Sequence, residues 1–274
     1  MDVLRSCSLN FRKWLHNPRY WIVIAVLVVF TRNTAAAFRE VSVLSDRMLS
    51  PWLLPFLLID RYTLFCLALS LIILFCDAPF LDLLQPYALQ KIGRRRWLLG
   101  QFCYVILCSL AFVLFLWLCM LCVCAGQIKW TADWGPCLKM LAHDNPFWGA
   151  FAQEIILQQD ATTVFLRTLL MGWGIAGLIG MLLLYLNLHL RREVGAFIVS
   201  GISVIDFVLY SYFDSTPELF WVSPISWMNP WQYIGDNQST WNIRFGIVFA
   251  LLGILGALSI RKLLRCHIET APEL

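Results

Sequence analysis

RRRWLLGQFCYVILCSLAFVLFLWLCMLCVCA, residues Arg94 to Ala125, is the stretch that decides the fold. After three arginines the chain stays apolar from Trp97 to Ala125, broken only weakly by Gln101 and Ser109. Crossing the hydrocarbon of a bilayer as a helix takes roughly 20 apolar residues. A run of this length is therefore a membrane crossing. Five further runs have the same character: about Tyr20 to Ala37, Leu57 to Cys76, Thr163 to Leu188, Gly195 to Phe213 and Ile243 to Ile260. Across the 274 residues, 60% are hydrophobic and 14% charged, whereas an ordinary soluble domain is roughly half apolar and a quarter charged. A soluble surface cannot hide that excess. The expected fold is one all-α integral membrane protein, a bundle of six transmembrane helices in a single domain over residues 1–274.

The basic residues read as topology signals. Thirteen of the 21 Lys and Arg fall on the side that holds both termini: Arg5, Arg12, Lys13, Arg19, Lys91, Arg94, Arg95, Arg96, Arg191, Arg192, Arg261, Lys262 and Arg265. The connection from Asp214 to Asn242 carries none. By the positive-inside rule both termini are cytoplasmic in a multi-pass protein of the cell membrane, and the loops 126–162 and 214–242 are external. The net charge of +4 is spread between apolar runs; a nucleic-acid binder would gather it on one face, and none is expected as partner. Residues 1–19 interleave Phe11, Trp14 and Leu15 with Arg5, Arg12, Lys13 and Arg19, as in an amphipathic helix at the membrane surface. A long basic lead with no small-residue cleavage pattern makes the first run a retained helix.

Several features invite chemistry and are weighed against plainer roles. Cys119, Cys122 and Cys124 have a metal-site look, but no His or acid lies nearby in sequence, and cysteine serves well as a small hydrophobe. Cys137 alone sits well inside an external loop, which argues against a disulfide framework. His143-Asp144 are adjacent, a poor arrangement for an acid–base pair, and Asn237-Gln238-Ser239 matches a common glycosylation triplet. Neither H-E-x-x-H nor G-x-S-x-G occurs, and no phosphate cradle of the form G-x-x-x-x-G-K-[ST]. No catalytic residue and no metal site are assigned. Gly172, Ala176 and Gly180 recur on one helix face, as do Gly246 and Ala250, and either intrachain packing or a dimer would use such faces.

Asp206, deep in the fifth run, has Ser203 and Tyr210 on its helical face as hydrogen-bonding candidates. An acid at that depth is costly and normally faces a cavity or partner, so it is either a pathway or gate residue or a structural hydrogen-bonder. Arg32, Arg61, Arg167 and Arg244 lie near outer helix ends, where they can reach the headgroups.

DAPFLDLLQPYALQKIG, Asp77 to Gly93, is a water-side segment with an apolar patch, and Asp77 with Pro79 suits a helix start. Either it packs on the membrane surface or a partner covers it. With DAPF at 77–80, GRRRWLLGQ at 93–101, the small basic turn at 191–193 and SPISWMNPW at 223–231, the chain resembles, over nearly its whole length, the permease subunits of type-two ABC exporters. The resemblance implies a coupling segment, 77–96, seated on a separate ATPase subunit that supplies ATP and Mg. The contacts would be Phe80, Leu81, Leu84, Tyr87 and Leu89, with Lys91, Arg94, Arg95 and Arg96 at the rim and Arg191, Arg192 and Glu193 as a second contact. It further implies a second permease copy or relative, an amphipathic lead at about Phe11 to Tyr20, and short re-entrant external helices before the last span, where Trp227 and Trp231 would flank the exit. The cargo would be an amphipathic or hydrophobic peptide, drug-like molecule or lipid-linked glycan. Two rivals remain: a proton-coupled transporter using Asp206, and a membrane enzyme or assembly factor in the Trp-rich loops.

Overall fold

Helix α2 (Pro18–Ser45) starts where Asn17 accepts the Arg19 N–H with its side chain and Pro18 occupies the first turn. It stops where Asp46 turns left-handed, at φ 52°. The crossing read as ending at Ala37 thus continues for two further turns, because Ala35, Phe38 and Ser42 still face the core while Arg39 and Glu40 face outward. The computed structural model describes residues 2–12, 14, 17–80, 93–144, 153, 155–157, 159–190, 192–212, 221, 223–230 and 238–265, with only the backbone for a few of these.

The other helices are α1 (Asp2–Arg12), α3 (Leu54–Leu57), α4 (Arg61–Phe75), α5 (Arg94–Val123), α6 (Gly135–Asp144), α7 (Ala161–His189), α8 (Arg192–Tyr212) and α9 (Gln238–Arg265). Among the described residues there is no strand, only a single bridge between Leu49 and Ile128. The described residues are all-helical, and among them four helices are long and apolar enough to cross a membrane: Pro18–Ser45, Arg95–Val123, Ala161–His189 and Ser239–Lys262. The chain is a membrane protein.

The second expected crossing is split. Asp60 caps α4, accepting the Thr63 N–H at 2.8 Å and its hydroxyl at 2.7 Å, so the chain from Leu54 to Leu57 forms its own short turn above it. At 15 residues α4 is about 22 Å long, short of the roughly 30 Å of hydrocarbon. Its ends are covered by the chain itself: Leu54, Leu57 and Leu58 are buried beyond one end, Ala78 and Phe80 beyond the other.

Helix α7 is the hub and packs on α4, α5, α8 and α9. Close approach explains its glycines. A Cβ at Gly180 would stand 2.6 Å from Val105 and 3.0 Å from Phe75, and one at Gly174 would stand 2.9 Å from Val248. The small-residue face of this helix is therefore spent on intrachain packing. Gly246 on α9 meets open space. Hydroxyls inside the bundle bond their own helices: Thr31, Ser70, Ser109, Thr168, Ser203 and Ser259 each donate to the carbonyl four residues back.

Replacing Gly180 by Leu should force α5 and α4 off α7 and destabilise the fold by about 1–3 kcal/mol, the usual cost of overpacking. Thermal unfolding in detergent should show a clear drop for G180L and none for G246L. Equal melting temperatures for the two variants would contradict this packing.

Candidate functional site

At the N-terminal end of the bundle, the residues that leave α4 form a turn, not a helix start. Asp77 does not cap; its carboxylate forms an ion pair with Arg19 at the beginning of α2, and its carbonyl accepts the Phe80 N–H. Both side chains of the pair are partly exposed, so it orients more than it stabilises. From α7, Asn187 donates to the carbonyls of Cys76 at 2.9 Å and Ala78 at 2.7 Å. Helix α8 passes so near that a Cβ at Gly195 would lie 2.1 Å from the Asn187 amide oxygen, so a larger residue there would displace the Asn187 side chain. Phe80 turns inward, 7% exposed, with its ring edge-on to Tyr104 of α5 at 4.9 Å.

Tyr104 is the junction of this end. Its hydroxyl accepts the Trp14 indole N–H at 2.8 Å and lies 3.0 Å from the Tyr20 hydroxyl. Phe11 meets its ring at 4.9 Å. Helix α1 does not lie free on a surface; it docks along α5. Ser6, Cys7 and Asn10 are buried there, and Asn10 donates to Gln101 at 2.8 Å, while Leu4 and Leu9 face away from the bundle. Gly100 makes the approach possible, since a Cβ there would come within 2.5 Å of Ser6. Burial, reinforced by Cys103, pushes the Cys7 thiol above its ordinary range, which keeps it protonated and unreactive.

At the opposite end, Asp206 is 5% exposed and belongs to a polar cluster under the connection before α9. Its Oδ1 and the buried Ser223 hydroxyl oxygen both lack a hydrogen-bond partner among the described residues. Ser203 does not serve it, for its hydroxyl donates to the Val199 carbonyl at 2.9 Å. Of Tyr210 only the backbone is described. Within the connection the stretch Ser223 to Pro230 is almost wholly buried and contains a 3-10 turn, Ile225–Met228, whereas Trp221 is exposed. Trp227 is within that turn. The Arg244 guanidinium sits 4.8 Å from the Trp221 ring and 5.7 Å from Trp227. Asn229 donates to the Ile59 carbonyl, and Arg61 to the Ser211 carbonyl at 3.0 Å. Arg167 lies over Trp241. These three arginines thus turn toward protein groups, and Arg244 is 4% exposed. Only Arg32 keeps the exposed position expected of all four.

Among the remaining expected contact residues, Arg95, Arg96 and Glu193 are exposed, and Arg94 and Arg192 are described in backbone alone. Leu81, Leu84, Tyr87, Leu89, Lys91, Arg191 and Trp231 lie outside the described residues. The nine described cysteines are free. Sequence reasoning passes over Tyr104, whose hydroxyl inside an apolar run is the available signal, and reads Arg244 only as reaching for the headgroups. Comparison with models of known families, with curated proteins and with solved structures finds no match to this chain.

Filling Gly100 should detach α1. In G100L the Cys7 thiol should react with a maleimide several-fold faster than in the unaltered protein, read by mass spectrometry of the labelled peptide. Unchanged protection of Cys7 would contradict the docking described.

Proposed function

We propose that the chain is the transmembrane subunit of an ATP-driven exporter of the type-two ABC class, moving an amphipathic or hydrophobic cargo outward. ATP and Mg are handled by a separate ATPase subunit, and a second permease completes the pathway. In this reading α4 and α8 join the four long helices to make six crossings, both termini are cytoplasmic, and the Ser223–Pro230 connection is the re-entrant part of the outer exit.

The observation that carries the reading is the root at Asp77 to Phe80. Arg19 of α2, Asn187 of α7 and Tyr104 of α5 all hold it. A force applied to the segment beyond Phe80, next to the exposed Arg95 and Arg96, is passed to three long helices at once. That is what a coupling segment needs: a stiff attachment to the bundle. Coupling of this kind requires two discrete arrangements biased by the ATPase.

The test is affinity purification of the full chain from its native membranes. An ATPase subunit should co-purify, and changing Arg94, Arg95 and Arg96 together to Glu should abolish its recovery without altering the melting temperature. Cargo export that survives ATP depletion and collapses with the proton gradient would overturn the reading in favour of proton coupling through Asp206.

A further inference from the structure

Two segments far apart in sequence close on one side chain. Tyr104 of α5 is fully buried, and two rings meet it edge-on. Phe11 of α1 lies at 4.9 Å and 66°, and Phe80 of the turn at 77–80 lies at 4.9 Å and 79°. The Tyr104 hydroxyl accepts the Trp14 indole N–H at 2.8 Å and meets the Tyr20 hydroxyl at 3.0 Å. Edge-to-face contacts and hydrogen bonds both depend on the angle of the ring. A tilt of Tyr104 that follows Phe80 therefore draws its hydroxyl away from Trp14, and the converse tilt draws its ring away from Phe80. The seating of α1 and the seating of the turn use the same orientation of one residue.

Helix α1 is also built to come away. The face it lays on α5 carries Ser6, Cys7 and Asn10, while Leu4 and Leu9 point outward. Asn10 donates to Gln101 at 2.8 Å, but the Asn10 Oδ1 and the Gln101 Nε2 are buried with no hydrogen-bond partner among the described residues. A buried amide atom left unpaired costs the free energy of its lost hydration, and undocking frees both atoms to find partners. The docked arrangement carries a penalty that the undocked one lacks, as an element with two arrangements requires. We infer that α1 is a regulatory latch on the turn at 77–80, working through Tyr104. Docked, it fixes the ring against which Phe80 sits; released, it lets the turn loosen. Coupling between two such events is reciprocal. That an ATPase pulls on the turn rests on the exporter reading; the latch itself does not.

N-ethylmaleimide is the probe, applied to the purified full chain, with the labelling rates of Cys7 and Cys76 read by mass spectrometry. A covered thiol reacts when its segment opens, so the rate reports local opening. Asn187 holds the turn from α7, through the Cys76 and Ala78 carbonyls. N187A should loosen the turn and speed Cys7 labelling about five-fold, the lower end of usual coupling. G100L, which lifts α1, should in turn speed Cys76. In Y104A the two events should part: adding N187A should leave the Cys7 rate where Y104A alone puts it. G174L strains α7 against Val248 of α9 instead and should leave both rates unchanged. A Cys7 rate indifferent to N187A, a Cys76 rate indifferent to G100L, an equal acceleration in G174L, or an N187A effect that survives Y104A would overturn the latch. If Y104A fails to fold, Y104F decides. It keeps the ring contacts, loses the bonds to Trp14 and Tyr20, and should weaken the N187A effect; an undiminished effect counts against the latch. An ATPase recovered from a chain without this coupling would sink the latch and leave the exporter standing. The coupling in a chain that recruits no ATPase would do the reverse.

Discussion

A peptide group in hydrocarbon has no water to bond, and this constraint orders the rest of the molecule. It makes the crossings helices, and it sends the hydroxyls of Thr31, Ser109, Thr168 and Ser259 back to their own helices' carbonyls. It also removes the hydrophobic drive between helices, so that contact must come from close packing. The glycines of α7 answer that need, with Val105, Phe75 and Val248 pressed into the spaces where a Cβ would stand.

Polar groups that cannot be satisfied inside a helix are drawn to its ends, and there they connect one helix to another. At the N-terminal end Arg19, Asn187 and Tyr104 converge on a four-residue turn, and the Tyr104 hydroxyl also joins α1 and α2 through Trp14 and Tyr20. The individual bonds are modest: an exposed ion pair contributes little, and a neutral hydrogen bond about 1 kcal/mol net. Their shared effect is geometric, because a turn held from three helices cannot shift without moving all three.

The other end uses indoles and guanidinium groups. Trp52, Trp117 and Trp134 donate to the carbonyls of Thr131, Pro51 and Gln159, tying loop backbone that no helix satisfies. Arg244 finds aromatic faces instead of headgroups, which lets a charge be buried beside the tryptophans of the connection. Beneath them a carboxylate is held within protein, and the chain above it is packed too tightly to be a simple surface loop.

Length and composition were enough to determine that this is a helical membrane protein, because apolar runs of that size have no other stable home. The runs at Trp97 to Ala125 and Thr163 to Leu188 lie within α5 and α7 with small shifts at their ends. Local capping was only partly legible. Asp60 moved the start of α4 inward, and Asp46 let α2 outrun its charged residues, since a helix ends where its backbone bonding ends and not where its hydropathy falls. What only the tertiary structure decided were the long-range pairings: Asp77 with Arg19, Phe80 with Tyr104, Asp206 with the 3-10 turn at Ile225 and Ser226. Such partners lie far apart in sequence and carry no period, so which of several polar residues meet is settled by how the helices pack against one another.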